Sequence, residues 1–217
     1  MEDIFLKLSV MLVPGMLAIV CHEVSHGFVA WRFGDPTAKM LGRLTLNPLK
    51  HIDIIGTLMI FLIGFGWAKP VPVVVENLRN PKHDMIWVAA AGPITNIILA
   101  TLSAFLLRGL VTFVNPLVHD SSLSMMTRPV ELMLRFSVQI NLLLAIFNMI
   151  PLPPLDGGRV LVGILPMRQA QALSSIEPYG MMIIILVVFI LPRYFGVDIL
   201  GSFIDPLLSL GTKVLAG

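Results

Sequence analysis

The chain has 217 residues, of which 56% are hydrophobic and 13% are charged, and its mean hydropathy is +0.88. This composition predicts an all-α polytopic membrane protein rather than a soluble domain with one packed core. The single cysteine excludes an intrachain disulfide framework. A formal charge of +2 without any block of basic residues gives no indication of nucleic-acid binding.

The first apolar run extends from about residue 8 to residue 31, which is long enough for a membrane helix of about 20 residues. The residues before it are acidic where a signal peptide would be basic, so we expect the run to be retained. Within it lies the sequence His22-Glu23-Val24-Ser25-His26. Helix positions i and i+4 share a face, so this spacing predicts two imidazoles on one divalent ion and Glu23 as general base.

The setting of this motif raises its significance. In a soluble protein the same spacing arises by chance on amphipathic helices. Inside lipid, a charged side chain costs about 2.5 to 3.5 kcal/mol on insertion scales, so ionisable groups there are rare and usually functional. Cys21 points to a different side of the helix, and we expect a small buried thiol there rather than a metal ligand.

A polar stretch at 32–53 follows the first span. Its segment 39–46 alternates loosely and predicts a short strand. The apolar run at 54–65 has about 12 residues, too few to span comfortably, and is typical of re-entrant or interfacial segments. The irregular stretch at 64–72 either lines a site or is a plain interfacial loop. The strand-like pieces at 39–46 and 69–75 are candidates for binding an extended substrate by edge pairing.

Three further spans are predicted, at about 85–107, 130–150 and 179–191. The first of them contains Gly92-Pro93 and carries Asn96, which must face protein or water. A connection is expected at 108–134, and an amphipathic or partly inserted tail at 197–215. Together with the first span and the run at 54–65, these segments predict four to six membrane helices in one membrane-embedded domain, residues 1–217.

The orientation follows from the basic residues. If the run at 54–65 does not cross the membrane, the loops on either side of it share one face. The positive-inside rule then makes that face cytoplasmic, because its loops carry seven basic residues: Arg32, Lys39, Arg43, Lys50, Lys69, Arg79 and Lys82. Counting from Arg32 at 1.5 Å per residue places Glu23 about 13 Å below that surface. The third span delivers Asp156 to the same side.

A catalytic zinc commonly takes three protein ligands and keeps one position for water. Asp156 is the preferred third ligand because it follows a Pro-broken helix, shares the depth of the motif and precedes a Gly pair that permits close backbone approach. Glu177 remains an alternative that would give a His-His-Glu site. Glu76 and Glu131 are the other carboxylates that the chain offers, and the three remaining histidines are expected in solvated or interfacial roles: His51, His83 and His119.

At this point the sequence resembles the site-2 proteases, zinc metalloproteases that cut their substrates within the membrane. The resemblance rests on three motifs in order: His22-Glu23-Val24-Ser25-His26, Ala91-Gly92-Pro93-Ile94-Thr95-Asn96, and the set Asn148, Pro151, Leu155, Asp156, Gly157 and Gly158. It implies His22, His26 and Asp156 as zinc ligands and Glu23 as general base. It also implies Asn148 as a catalytic group that holds substrate or polarises the scissile carbonyl, and Asn96 as a second polar group near the site.

The resemblance also implies what the enzyme acts on. We expect one Zn²⁺ per chain, membrane-spanning protein substrates, a regulatory membrane partner, and a location in the plasma membrane of a prokaryote with the site nearer the cytoplasm. The stretch 108–134 and the tail from 192 are too short for the PDZ or CBS domains of larger members, which predicts the minimal form. The oligomeric state is left open.

Two other functions fit the same residues. One is a non-proteolytic zinc carrier or sensor, although a transporter would more naturally show two related halves. The other is a pseudoprotease that binds membrane helices without cutting them. The complete set of ligands with a base beside them favours the protease.

Overall fold

The computed structural model describes residues 2–63, 66–114 and 122–216, and no β-strand occurs among them. Two short 3-10 helices lie at Pro48–Lys50 and Val75–Asn77. The α-helices, in chain order, are α1 (Glu2–Arg32), α2 (Thr37–Met40), α3 (Ile54–Ile63), α4 (Pro81–Gly109), α5 (Ser122–Asn148), α6 (Asp156–Ile164), α7 (Met167–Ser174), α8 (Glu177–Ile185) and α9 (Ile199–Ala216). Helices α4 and α8 continue as π-helix over Leu110–Val114 and Leu186–Phe195.

Within the described residues, four helical segments are long and apolar enough to cross a membrane: Ser9–Arg32, Pro81–Val114, Thr127–Asn148 and Glu177–Phe195. They correspond to the four predicted spans, so the prediction of an all-α integral membrane protein is confirmed. Helix α3 has 10 residues, a length of about 15 Å against a hydrocarbon core of roughly 30 Å. Helix α3 is therefore too short to span the hydrocarbon core by itself.

Two details of the sequence prediction were wrong. The strand expected at 39–46 does not form: α2 ends at Met40, and the chain then turns at Gly42, which has a φ of 63°. The segment 69–74 has no regular secondary structure, because Pro70 and Pro72 have no N–H to donate to a ladder. Substrate binding by edge pairing to these pieces is accordingly not supported.

The predicted connection at 108–134 is helical at both of its ends, and residues 115–121 lie outside the described residues. Helix α4 continues beyond residue 108 to Val114, and residues 122–134 already belong to α5. Hydropathy predicts only the part of a helix that lies in lipid. Backbone hydrogen bonds continue the helix beyond that part, so the helix is longer than its apolar run.

The chain divides into two compact units. The first comprises the described parts of Met1–Ala18, Asn96–Asn148 and Tyr179–Gly217. Its apolar core is formed by α4, α5 and α9. Asn96 is fully buried, and its amide donates to the Ala18 carbonyl (3.2 Å) and to Oδ1 of Asn141 (2.8 Å). Such hydrogen bonds join helices where lipid offers no polar partner.

The second unit comprises the described parts of Ile19–Thr95 and Met149–Pro178. Its core forms around Ala30, Leu78 and Val88. The carboxylate of Asp35, which is 0% exposed, accepts hydrogen bonds from the Val74 and Thr37 N–H groups, the Thr37 hydroxyl and the Asn77 amide. Burial raises the pKa of Asp35, but these donors outweigh burial and hold the pKa below its ordinary value. Asp35 thereby fixes the loop at 74–77 to the end of α1.

Candidate metal centre

The two histidines of the motif lie on one face of α1, as the i, i+4 spacing requires. Their ring centroids are 4.7 Å apart in an edge-to-face arrangement. Nδ1 of His26 lies 2.7 Å from the carbonyl oxygen of Val88 in α4. When Nδ1 carries the proton, it donates to that carbonyl, and the lone pair of Nε2 is free to bind a metal ion. A hydrogen bond from the other ring nitrogen to a carbonyl is usual for a metal-binding histidine.

Asp156 joins the two imidazoles as the first residue of α6. Its Oδ2 lies 3.1 Å from Nε2 of His22 and 3.4 Å from Nε2 of His26. All three side chains are largely buried, and one potential ligand atom from each lies within 4.8 Å of the others. The structure thus brings together the three predicted ligands, in preference to the alternative set containing Glu177.

The chemistry of this donor set fits a divalent cation. Asp156 Oδ2 is buried, and its polar neighbours are the two imidazole nitrogens, with which it makes no hydrogen bond of good geometry; an ion between the three side chains would satisfy this oxygen and both nitrogens. Burial raises the pKa of Asp156, but the neighbouring imidazoles of His22 and His26 outweigh burial and keep the pKa below its ordinary value. The carboxylate is therefore ionised, as a metal ligand must be. Two imidazoles and one carboxylate leave the fourth position of a tetrahedral zinc open.

Gly92 of α4 packs directly against the motif. A Cβ atom at this position would lie 2.5 Å from Nε2 of His22 and 2.5 Å from Nε2 of His26. Only glycine leaves room for both imidazoles, and Val88, one helical turn earlier on the same face, supplies the carbonyl for His26. Helix α4 therefore packs closely on the two histidines because Gly92 has no side chain, and the Val88 carbonyl oxygen binds His26.

The Gly157-Gly158 pair places Asp156 in a similar way. A Cβ atom at Gly157 would lie 2.2 Å from the carbonyl oxygen of Met149, and one at Gly158 would lie 2.3 Å from the nitrogen of Pro153. The first turn of α6 thus packs on the backbone that precedes it. The close backbone approach expected from the sequence is present, and it sets the position of the carboxylate.

Glu23 has a partner that sequence reasoning missed. Its Oε2 accepts a hydrogen bond of 2.8 Å from the backbone N–H of Val71. Because Val71 stands between Pro70 and Pro72, its N–H is the one backbone donor of these three residues. The pattern Pro-Val-Pro indicates that only one N–H is available over these three residues. Nothing in the sequence indicates Glu23 as its acceptor.

The two asparagines implied by the resemblance have local partners. Asn96 is engaged in the helix contacts of the first unit described above. Asn148 is the last residue of α5, and its amide donates to the carbonyl of Leu144 in the same helix (2.9 Å). Their roles toward substrate remain predictions.

The remaining candidates lie outside the group of ligands. Glu177 is exposed and pairs with Arg159 at 3.1 Å. His83 is exposed, as expected, and Glu131 pairs with Arg135. The expectation for His51 was wrong: it is 2% exposed, and its Nε2 lies 2.8 Å from the Thr45 carbonyl oxygen. His119 lies outside the described residues.

Comparison with known proteins identifies the family of the chain. The model of peptidase family M50, the site-2 protease family, matches residues 10–191. The chain belongs to this family. The match contains all three motifs, so the resemblance proposed from the sequence is confirmed.

The M50 chain is similar in sequence to two bacterial proteins described as zinc metalloproteases. YwhC of Bacillus subtilis (strain 168), named "Putative zinc metalloprotease", is 37% identical over 218 residues, covering 96% of this chain and 92% of its own length. Rip2 of Mycolicibacterium smegmatis bears the same description and is 30% identical, covering 83% of this chain and 67% of its own length. No solved structure gives a significant match. The family and these relatives identify the chain as a metalloprotease with zinc as its cofactor.

Proposed function

We propose that this M50 chain is an intramembrane zinc metalloprotease that hydrolyses peptide bonds in membrane-spanning protein substrates. The observation that carries the proposal is the convergence of His22, His26 and Asp156 on one buried point, with Glu23 next to them in sequence. In this proposal, residues 1–217 act as a single membrane-embedded protease domain.

The proposed roles follow from the chemistry of each group. His22, His26 and Asp156 hold the ion. Zinc, when bound, supplies a Lewis acid that polarises a carbonyl and makes water a better nucleophile. Glu23 takes the proton from the attacking water and passes it to the leaving amine. Because the Val71 N–H occupies Oε2 of Glu23, we assign the proton transfers to Oε1. That contact also fixes the orientation of the carboxylate, which lowers the cost of reaching the reactive geometry.

The proposed substrate class follows from the location of the site. The ligands on α1 belong to a segment that can span a membrane, and the basic loops after α1 favour a cytoplasmic position for its end. A membrane-spanning substrate must be locally unwound before cleavage, because a helix engages its carbonyls in its own hydrogen bonds. The related bacterial proteins support a prokaryotic plasma membrane as the location. A regulatory membrane partner and the substrate contacts of Asn148 and Asn96 belong to the same proposal.

The test is metal-dependent cleavage by the purified protein. Detergent-purified chain is incubated with a single-span model substrate, and the cut is mapped by mass spectrometry. We expect cleavage within the span, its loss after treatment with a chelator, and its return on addition of zinc. Cleavage only in soluble segments would contradict the intramembrane assignment. Zinc binding without any cleavage of membrane substrates would favour a carrier, sensor or pseudoprotease.

A further inference from the structure

The backbone segment 69–74 of the second unit is held at its start by two buried residues. Nη2 of Arg43 donates to the carbonyl oxygen of Lys69 (2.8 Å), and the Lys69 N–H donates to the carbonyl oxygen of His51 (2.8 Å). Arg43 and His51 are both buried. Both backbone groups of Lys69 are thus bound by the preceding loop of the same unit.

The end of the segment is held by Asp35, whose side chain is completely buried. Its Oδ2 accepts the N–H of Val74 (2.8 Å). Its Oδ1 is bound separately, by the Asn77 amide (3.0 Å) and by the N–H and hydroxyl groups of Thr37. The contacts at Oδ1 hold the carboxylate in one orientation, and a buried carboxylate oxygen is costly to leave without a partner. Oδ2 therefore fixes the position of Val74.

Between these two ends the segment contacts the general base. The N–H of Val71, three residues before Val74, donates to Oε2 of Glu23 (2.8 Å). Pro70 and Pro72 flank this donor, and their rings restrict φ to about −65°. Few free backbone torsions remain between Val71 and Val74 to absorb a displacement. A shift at Val74 therefore moves the N–H that Glu23 accepts.

We propose that Asp35 is a positioning residue for the general base. It holds Val74, the short segment between them holds the Val71 N–H, and that N–H orients the carboxylate of Glu23 toward the water that it deprotonates. The inference rests on the proposed function and gives a task in it to a residue outside the three motifs. Asp35 acts through the backbone and not by contact with substrate or metal.

Asp35→Asn breaks this connection selectively. The amide oxygen can still accept the hydrogen bonds at Oδ1, but the amide NH2 group then faces the N–H of Val74, and two donors cannot pair. We expect kcat on a single-span substrate to fall about tenfold to 100-fold with KM unchanged, because a misplaced reacting group weakens binding of the transition state only. Zinc per chain should equal that of wild type.

The matched control is Asp84→Asn. Asp84 is a buried carboxylate of the same unit, and its Oδ2 also accepts one backbone N–H, that of Asn80 (2.8 Å), outside the segment. Loss of this hydrogen bond should lower thermal stability to a similar extent and leave kcat at the wild-type value. An equal fall of kcat in Asp84→Asn and Asp35→Asn would show a general loss of stability and would overturn the proposal.

A second pair of variants decides the matter if Asp35→Asn does not fold. Val74 and Val75 are neighbouring exposed residues. Val74→Pro removes the N–H that Asp35 accepts. Val75→Pro places proline at the first position of a 3-10 helix, after a residue with extended backbone, where proline is tolerated. We expect kcat to fall in Val74→Pro and to be retained in Val75→Pro, and equal kcat values would contradict the positioning role.

Hydrogen exchange gives a readout that needs no proteolysis. Pro70 and Pro72 have no N–H, so a fragment covering 70–72 reports the backbone amide of Val71 alone. We expect this amide to exchange at least about tenfold faster in Asp35→Asn than in wild type, because its hydrogen bond opens more often. Unchanged exchange would overturn the proposal, whatever the value of kcat.

The two proposals fail in different ways. If wild type cuts the substrate and Asp35→Asn cuts it equally fast, the positioning role is wrong and the protease stands. If wild type cuts no membrane substrate, the proposed function fails and the role of Asp35 fails with it.

Discussion

Glu23→Gln is expected to retain zinc and to lose proteolysis by a factor of about 10² to 10⁴. An amide keeps the shape of the side chain and can still accept the hydrogen bond from the Val71 N–H through its oxygen. It cannot take a proton from water, and general acid–base catalysis contributes about this factor. The measurement is zinc per chain by atomic absorption together with kcat on a single-span substrate.

The matched control for this change is Glu76→Gln. Glu76 is exposed in the short 3-10 helix at Val75–Asn77, away from the predicted ligands in sequence. It should keep both zinc and activity. A Glu23→Gln protein that cuts at the wild-type rate would show that another group moves the proton. One that loses its zinc would show that Glu23 helps to build the metal centre.

Gly92→Ala is expected to have an equally large effect for a different reason. Its new Cβ atom would lie 2.5 Å from ring atoms of both His22 and His26, closer than carbon and nitrogen atoms normally approach. Either the imidazoles rotate away from their common point or α4 moves away from α1. We expect zinc affinity to fall by at least about 100-fold, the upper range for changes in groups that orient metal ligands, and cleavage to fall with it.

Gly109→Ala serves as the control on the same helix. A Cβ atom at Gly109 would meet nothing within 4 Å, so this variant should bind zinc and cut like wild type. Circular dichroism of both variants separates a local change at the centre from loss of the fold. Full zinc content in a helical Gly92→Ala protein would mean that α4 can accommodate a Cβ atom beside the two imidazoles, contrary to the 2.5 Å approach.

The sequence predicted the spans well because lipid burial has a strong and local signature. The first span was expected at 8–31, and the apolar helix runs over Ser9–Arg32. The helix ends beyond the lipid were less predictable: the second span was expected at 85–107, whereas the helical segment covers Pro81–Val114. Backbone hydrogen bonding extends a helix through polar residues that hydropathy does not count.

The predicted ligands meet because their positions are encoded in short motifs. One helix fixes the spacing of His22 and His26. The glycines after Asp156 indicate that the start of α6 packs closely on the preceding backbone. The groups around them are determined by tertiary contacts. The N–H of Val71 reaches Glu23 across 48 residues, and the carbonyl of Val88 reaches His26 across 62. Every residue offers a backbone carbonyl and every residue except proline offers an N–H, so the sequence does not indicate which of them will reach the centre.

Asp35 and His51 show the same limit for polar side chains. An aspartate just after a helix and a histidine in a basic loop are ordinary at an exposed surface. Both are buried in the second unit, where Asp35 is reached by Val74 and Asn77 from a distant loop. Burial of these groups depends on which loops meet, and periodicity and composition do not report that.

The proposed protease requires His22, His26 and Asp156 to form one zinc centre that cuts membrane substrates. The most direct measurement is zinc per chain, with cleavage of a single-span substrate, on wild type, Asp156→Ala and Glu177→Ala purified in detergent. We expect about one zinc in wild type, less than about a tenth of that and no cleavage in Asp156→Ala, and wild-type zinc with retained cleavage in Glu177→Ala. Full zinc in Asp156→Ala, or loss of zinc in Glu177→Ala, would contradict the assignment.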